Sequence, residues 1–276
     1  MTPDPSVSRT GVLLRAGLFL VAVRMLGGIF YSVMGEVAYF AGAAVSGFLA
    51  AVLASVFAVR VFERGRLTDL GLAWNPEAAR QLWMGLAAGA GAAAATALPA
   101  LAAGWAFYAP SPAPEAVFTP GKLLFVTVLL LFGAIGEELM FRGYPFQTVL
   151  QTFGVWTTIL PFSVLFAVAH MGNLGSTPFS LGNTFLWGVV FGVAFVRTRT
   201  LWLPIGLHTG WNWALPALGI NLSGFEVRLH PWVLEWRAPE WISGGAYGVE
   251  ASVLTTLAAG GLLFLLLRYQ WSRNGG

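Results

Sequence analysis

The chain has 276 residues, of which 57% are hydrophobic and only 10% are charged. Soluble domains carry roughly 25% charged residues, so this composition excludes a soluble globular protein and indicates an integral membrane protein. The net charge is only +3 and the sequence has no dense basic cluster, which argues against nucleic acid as a partner. Cysteine is absent, so disulfides, thiolate metal sites and a cysteine nucleophile are excluded.

Eight apolar stretches are candidates for membrane-spanning helices, which need about 20 residues each. In chain order they cover residues 11–34, 37–61, 82–108, 121–143, 156–175, 180–198, 201–221 and 248–269. The polar N-terminus lacks the pattern of a cleaved signal peptide, so we expect the first span to be retained. The sequence predicts an all-α fold, a polytopic transmembrane helix bundle of about eight spans that forms one domain over residues 1–276.

Two stretches outside the spans have the composition of a membrane interface. Residues 63–81 combine charged residues with a short amphipathic pattern, and residues 223–245 are rich in tryptophan and charge. We expect short interfacial helices and loops in these stretches.

The distribution of lysine and arginine predicts the orientation of the bundle. If the N-terminus is cytoplasmic, eleven basic residues fall on the cytoplasmic side and three on the opposite side. The eleven are Arg9, Arg15, Arg60, Arg64, Arg66, Arg80, Arg142, Arg197, Arg199, Arg268 and Arg273. We therefore expect an integral protein of the cell (inner) membrane, with both termini and the active-site opening on the cytoplasmic side.

A few polar side chains lie within the predicted spans. The candidates for function among them are Glu137, Glu138 and Arg142 in the fourth span, His170 in the fifth, and His208 and Asn212 in the seventh. An Asp, Lys or Arg at the centre of a transmembrane helix costs about 2.5–3.5 kcal/mol, so such residues indicate function by default. His170 comes late in its span, so we expect residues 143–154 to extend that helix with a kink at Pro145.

The spacing of these residues predicts how they are used. Glu138 and Arg142 are four residues apart, so they share a helix face and can pair, whereas Glu137 is turned away by about 100°. A glutamate beside a histidine can take a proton from water. His208 and Asn212 are also one turn apart, and two such donors can stabilise the oxyanion of a tetrahedral intermediate.

At these residues the chain resembles the CPBP family of intramembrane glutamic endopeptidases. That family includes the type II CAAX prenyl endopeptidases and bacterial membrane proteases related to bacteriocin immunity and abortive infection. Its three motifs occur in order: EExxxR at Glu137–Arg142, FxxxH at Phe166–His170 and HxxxN at His208–Asn212. The family-like catalytic core covers about residues 120–220.

The resemblance implies an endopeptidase that needs no metal and no cofactor, with CAAX-type C-terminal processing among its activities. It implies Glu137 as the base that activates water, His170 as a holder of that water, and His208 and Asn212 as oxyanion donors. Glu138, Arg142 and Phe166 would support the site. The implied partners are membrane lipid and a protein or peptide substrate with a lipidated or membrane-inserted segment.

Other readings of the same residues remain open. Glu137, His170 and His208 could be the ligands of a zinc-dependent membrane hydrolase, although the sequence has no HExxH motif. A proton-coupled transporter could use the buried charges as a relay, but it should show repeat symmetry, and we find no repeat. An immunity or scaffold protein of the same fold would keep the motifs without turnover, and Glu138 with Arg142 could be only a structural ion pair.

Overall fold

The computed structural model describes residues 7–34, 39–112 and 118–269. Its α-helices are α1 (Arg9–Met34), α2 (Tyr39–Phe62), α3 (Pro76–Ala102), α4 (Pro120–Arg142), α5 (Tyr144–Phe153), α6 (Trp156–Ala169), α7 (Pro178–Thr198), α8 (Trp202–Ala217), α9 (Glu240–Ser243) and α10 (Val253–Arg268). The described residues also contain two strands, β1 (Ala106–Pro110) and β2 (Trp232–Trp236). They contain three 3₁₀ turns as well: Leu67–Leu70, Gly245–Tyr247 and Val249–Ala251. The prediction of a helical membrane bundle is confirmed.

The eight predicted spans each correspond to a helix, but not all of these helices have full length. Five helical stretches in the described residues are long and apolar enough to cross a membrane, with α4 and α5 counted as one. Helices α6, α8 and α10 have only 14, 16 and 16 residues. Sixteen residues rise about 24 Å, less than the roughly 30 Å of a bilayer core. The spans predicted at 156–175, 201–221 and 248–269 were therefore too long.

The all-α prediction also missed a small sheet. The third span was expected to run to residue 108, but α3 ends at Ala102 and Gly104 turns the chain with a φ of +70°. The aromatic stretch that follows pairs as β1 with β2, antiparallel, with Ala106 opposite Trp236. The interfacial segment 223–245 is thus partly strand, and the interfacial helix expected in 63–81 is a 3₁₀ turn followed by the start of α3, which Asn75 caps.

The two ends of the bundle differ in charge. At one end α1 begins and α2 ends, joined by an ion pair between Arg15 and Glu63 at 3.7 Å. Helix α7 ends there too, because the N–H of Leu201 just after it donates to the carbonyl of Gly71, in the segment that follows α2. Helix α10 ends beside α7, where Arg197 donates to the carbonyls of Leu266 and Leu267. We call this end the basic end, since Arg15, Arg60, Arg64, Arg197 and Arg199 lie there. The opposite end, which we call the strand end, carries β1, β2 and residues 218–252.

The backbones of α3 and α8 lie very close together, because glycines line the interface between the two helices. A Cβ added at Gly89 of α3 would overlap the carbonyl oxygen of Leu207, and one at Gly210 of α8 would overlap that of Leu86. Small residues let helix backbones approach closely in lipid, where apolar side chains gain little by association. This seam fixes the position of α8, the helix that carries His208.

Substitution at the seam should destabilise the fold. We expect Gly89→Ala to lower the melting temperature of the detergent-purified protein, because forcing extra volume into a packed interface costs about 1–3 kcal/mol. The matched control is Gly91→Ala on the same helix, where an added Cβ has no neighbour within 4 Å. Equal melting temperatures for the two variants would contradict the close packing of α3 on α8.

Candidate active site

A break in the fourth span positions the first motif. Helix α4 ends at Arg142, and Gly143 adopts φ −75° and ψ −135°, so its peptide leaves the helical course. Pro145 then stands in the first turn of α5, where its missing N–H is tolerated. The sequence predicted that residues 143–154 extend the fifth helix with a kink at Pro145, but in the structure they form a separate helix, α5, bounded by Gly143 and Gly154. Helix α6 follows α5 and places His170, its C-terminal cap, beside α4.

The centre of the site is the carboxylate of Glu138, which is fully buried. Its Oε1 atom accepts a hydrogen bond from Nη1 of Arg142 at 3.2 Å and lies 2.9 Å from Nδ1 of His208. Arg142, only 1% exposed, also donates from Nη2 to the carbonyl of Gly188 at 3.0 Å. The pair predicted from the i,i+4 spacing therefore exists, and it also holds a histidine from another helix.

Aromatic rings enclose the Arg142 guanidinium. Its central carbon lies 4.7 Å from the ring centroid of Phe166 and 5.1 Å from that of Phe191. Phe191 also stacks on His208, with centroids 4.8 Å apart. Cations are attracted to ring faces, most strongly when desolvated. This explains how Phe166, expected only as a supporting residue, contacts the charged core.

Arg142 was counted among the basic residues of the cytoplasmic side. Because it is buried within the bundle, it gives no information on the orientation of the protein in the membrane.

The proton positions on the two histidines follow from their partners. Nδ1 of His170 lies 2.8 Å from the backbone carbonyl oxygen of Phe166, which can only accept, so this nitrogen carries a hydrogen. Nδ1 of His208 faces the Glu138 carboxylate and carries a hydrogen for the same reason. In the neutral ring, the Nε2 atom of each histidine is then an acceptor.

Both Nε2 atoms point to Glu137. Its Oε2 atom lies 3.8 Å from Nε2 of His170 and 3.8 Å from Nε2 of His208. Each separation is too long for a direct hydrogen bond, but a molecule of the size of water that donates to both the carboxylate and the imidazole would fit between them. The same atoms are the ligand types of the zinc alternative; two ligands at about 2.0–2.1 Å from a tetrahedral zinc lie roughly 3.4 Å apart, somewhat closer than here.

The predicted catalytic residues share one cavity of about 320 Å³. Glu137, His170, His208 and Asn212 all line it, whereas Glu138 and Arg142 lie behind its wall. The structure thus brings together every residue that the sequence singled out, with Asn212 one turn of α8 beyond His208. Phe166 lines the cavity as well.

The cavity occupies the half of the bundle near the strand end. Phe40 at the start of α2, Thr184 in the first turns of α7 and Phe225 in the segment 218–252 are among its lining residues. Toward the basic end, the packed rings of Phe141 and Phe166 stand between the cavity and Arg142. If the basic end is cytoplasmic, the cavity extends away from the cytoplasm, so the expected cytoplasmic opening does not agree with the expected cytoplasmic termini.

A further carboxylate, Glu250, which was not among the predicted site residues, also lines this cavity. Burial raises the pKa of the Glu250 carboxyl, while hydrogen bonds from Trp211 and Ser223 oppose that shift. Burial beside Glu250 likewise raises the pKa of Tyr247 to about 12. Glu250 belongs to no motif and lies at the start of the span predicted at 248–269, so its charge was a signal that the motifs did not use, and the tertiary fold shows that it lines the cavity.

The fold and the site together define a polytopic helical membrane protein with Glu, His and Asn side chains lining one cavity. Residues 119–214 match the sequence model of the Rce1-like family, which is described as "Type II CAAX prenyl endopeptidase Rce1-like". The match covers about a third of the chain and contains all three motifs. It supports membership of the CPBP/CAAX-like family, a family of membrane proteases, and confirms the resemblance seen in the motifs. Comparison with curated proteins gives no match.

Removing one partner of the buried ion pair should be more damaging than removing both charges. We expect Arg142→Gln to lower folded yield and melting temperature strongly, since an uncompensated buried charge costs about 3–5 kcal/mol. The double variant Glu138→Gln with Arg142→Gln should recover part of that stability. Melting curves of the two single variants and the double variant measure the coupling.

The exposed pair of Glu77 and Arg80 provides the control, with N···O at 2.6 Å and side chains about half exposed. Arg80→Gln should change the melting temperature little, because surface ion pairs contribute about 0–1 kcal/mol. Strictly additive losses in the Glu138 and Arg142 cycle would contradict the buried pair.

Proposed function

We propose that this protein is an intramembrane endopeptidase in which Glu137 activates water without a metal ion. The observation that carries this proposal is the convergence of one glutamate oxygen and two histidine Nε2 atoms, each 3.8 Å from it, on the wall of one cavity. Membership of a CAAX-type protease family supports the same class of reaction.

Glu137 acts as the general base in this mechanism. A water molecule donates one hydrogen to Oε2 of Glu137 and its other hydrogen to Nε2 of His170, which orients its lone pair. As the water oxygen attacks the carbonyl carbon of the peptide bond, its proton moves to Glu137. The tetrahedral intermediate then collapses, the C–N bond breaks, and Glu137 gives that proton to the leaving amine.

His208 and Asn212 stabilise the oxyanion. Asn212 offers a neutral amide donor at the cavity wall. Because Nδ1 of His208 already donates to Glu138, its Nε2 atom can donate only when the ring is an imidazolium. The Glu138 carboxylate lies 2.9 Å from Nδ1 of that ring, and the Glu137 carboxylate lies 3.8 Å from its Nε2 atom. Glu138 therefore positions His208 and does not touch the substrate.

The two adjacent glutamates should differ in their effects. We expect Glu137→Gln to abolish detectable cleavage in a folded protein, since loss of a general base costs about 10²–10⁴-fold. Asn212→Ala should reduce the rate by about 10²–10³-fold and leave slow turnover, because His208 still donates. Glu138→Gln should lower the melting temperature as well as activity. Single-turnover cleavage of a peptide library, with a melting curve for each variant, is the measurement.

The same assay tests the zinc alternative. Turnover should persist after exhaustive treatment with a chelator and should not increase when zinc is added back. The proposal fails if activity disappears with the metal and returns with it. It also fails if Glu137→Gln cleaves at nearly the normal rate, because the base would then be another group.

We also propose that the basic end faces the cytoplasm, so that substrates reach the cavity from the opposite half of the membrane. The two termini lie outside the described residues, and we expect them on the cytoplasmic side as well. The distribution of arginine favours this orientation, since cytoplasmic segments carry an excess of Lys and Arg. The substrate is then a peptide segment that is membrane-inserted or exposed on the outer side.

Single cysteines in this cysteine-free chain test the orientation. In intact cells, an impermeant thiol reagent should label Glu226→Cys, at the exposed strand end, and should not label cysteines at positions 5 and 274 before permeabilisation. The reverse pattern would place the cavity on the cytoplasmic side and contradict the proposed route of substrate entry.

A further inference from the structure

At its strand-end side, the cavity has a wall unlike the catalytic one. It is formed by the carboxylate of Glu250 and the indole rings of Trp187 and Trp211. Glu250 lies in the turn Val249–Ala251 just before α10, outside the three motifs and outside residues 119–214. The proposed reaction uses none of these three side chains, so their arrangement needs another explanation.

Hydrogen bonds hold Glu250 in one position. Its Oε1 atom accepts from Nε1 of Trp211 at 3.0 Å, and its Oε2 atom accepts from the hydroxyl of Ser223 at 3.1 Å. The backbone N–H of Ser223 donates to Oε2 as well. A carboxylate offers about four acceptor positions, and these three donors fill three of them. Glu250 is therefore fixed in orientation and keeps one position for a group inside the cavity.

The charges around the cavity are one-sided. Glu137, Glu250 and two histidines are the ionisable residues that line it, and no lysine or arginine is among the described lining residues. Arg142 is committed to Glu138 and to the Gly188 carbonyl. A cation that enters this space meets carboxylates, whereas a free carboxylate meets like charges.

Two tryptophans add a second feature that attracts cations. The rings of Trp187 and Trp211 are in contact, with centroids 4.6 Å apart, and both are nearly fully buried in the cavity wall. Indole faces bind ammonium and guanidinium groups better than other aromatic rings do. A carboxylate with one free acceptor position beside two indoles is the chemistry that recognises a lysine or arginine side chain.

We propose that Glu250, Trp187 and Trp211 form a subsite for a positively charged side chain of the peptide substrate. This inference rests on the proposed peptidase function. Trp211 lies three residues after His208 on α8, a rise of about 4.5 Å, and its indole reaches further to Glu250. An extended peptide spans about 3.3–3.6 Å per residue, so the charged side chain belongs a few residues from the scissile bond.

Peptide binding to a catalytically inactive background tests the subsite without requiring turnover. The probe is a set of N-acetylated, C-amidated, fluorescein-labelled decapeptides that carry Lys, Arg, Gln or Glu at each position in turn. Affinity for detergent-purified Glu137→Gln protein is measured by fluorescence anisotropy. At one or two positions we expect Lys and Arg peptides to bind about tenfold more tightly than the Gln peptide, and Glu peptides to bind more weakly.

Variants at Glu250 assign that preference to the subsite. Glu250→Gln keeps the shape and removes the charge, so the preference for Lys and Arg should disappear, while Glu250→Asp should retain it. The matched control is Glu226→Gln, an exposed residue of the same segment that pairs with Arg228 at 3.1 Å, and it should change nothing. Melting curves confirm that each variant is folded.

Two results would overturn the proposal: a preference that survives Glu250→Gln, or no preference for Lys and Arg at any position. Peptides with a free N-terminal amine form a further arm, and a preference carried by that amine alone would overturn the assignment to a side chain. Cleavage by the unsubstituted protein is followed in parallel. Peptides cleaved without regard to charge overturn the subsite alone, and peptides bound with the expected preference but never cleaved overturn the peptidase function alone.

Discussion

The geometry of the site depends on the contacts of the Glu138 carboxylate with Arg142 and His208. This carboxylate is completely buried, and one of its oxygens faces both Arg142 and Nδ1 of His208. A buried carboxylate is stable only when paired and hydrogen-bonded, so Arg142 makes it tolerable in the bundle. The carboxylate in turn fixes the tautomer of His208 and directs Nε2 toward Glu137. The ion pair therefore does more than stabilise the bundle, because it also orients a histidine that lines the cavity.

The fold delivers these groups by close approach of helices and by breaks in them. The glycine seam places α8 against α3, which sets the depth of His208, and the break at Gly143 lets α4 end inside the bundle at Arg142. Short helices α6 and α8 then bring their polar residues to the level of Glu137. Irregular backbone is tolerated at membrane depth only where protein surrounds it, and the break at Gly143 is buried.

Much of this arrangement can be predicted from the sequence. Apolar stretches locate the helices, and helical spacing separates Glu137 from the pair formed by Glu138 and Arg142. The features that the sequence did not predict are those that depend on contacts between residues far apart in the chain. The lengths of α6, α8 and α10 depend on caps and packing, and β1 pairs with β2 across about 125 residues of chain. The position of Glu250 in the cavity also depends on distant contacts, since Trp211 and Ser223 reach it only after folding. The contact between Glu138 and His208 likewise joins residues 70 apart.

The central claim is that water attacks the peptide directly, with Glu137 as base and with no acyl group on the enzyme. A single turnover in water enriched in ¹⁸O tests this claim most directly, with mass spectrometry of both the product and the proteolysed enzyme. We expect one ¹⁸O atom in the new carboxylate of the product and none in the enzyme fragment that contains Glu137. Label in the Glu137 carboxylate would show that the glutamate forms a covalent acyl intermediate, and that result would contradict the account.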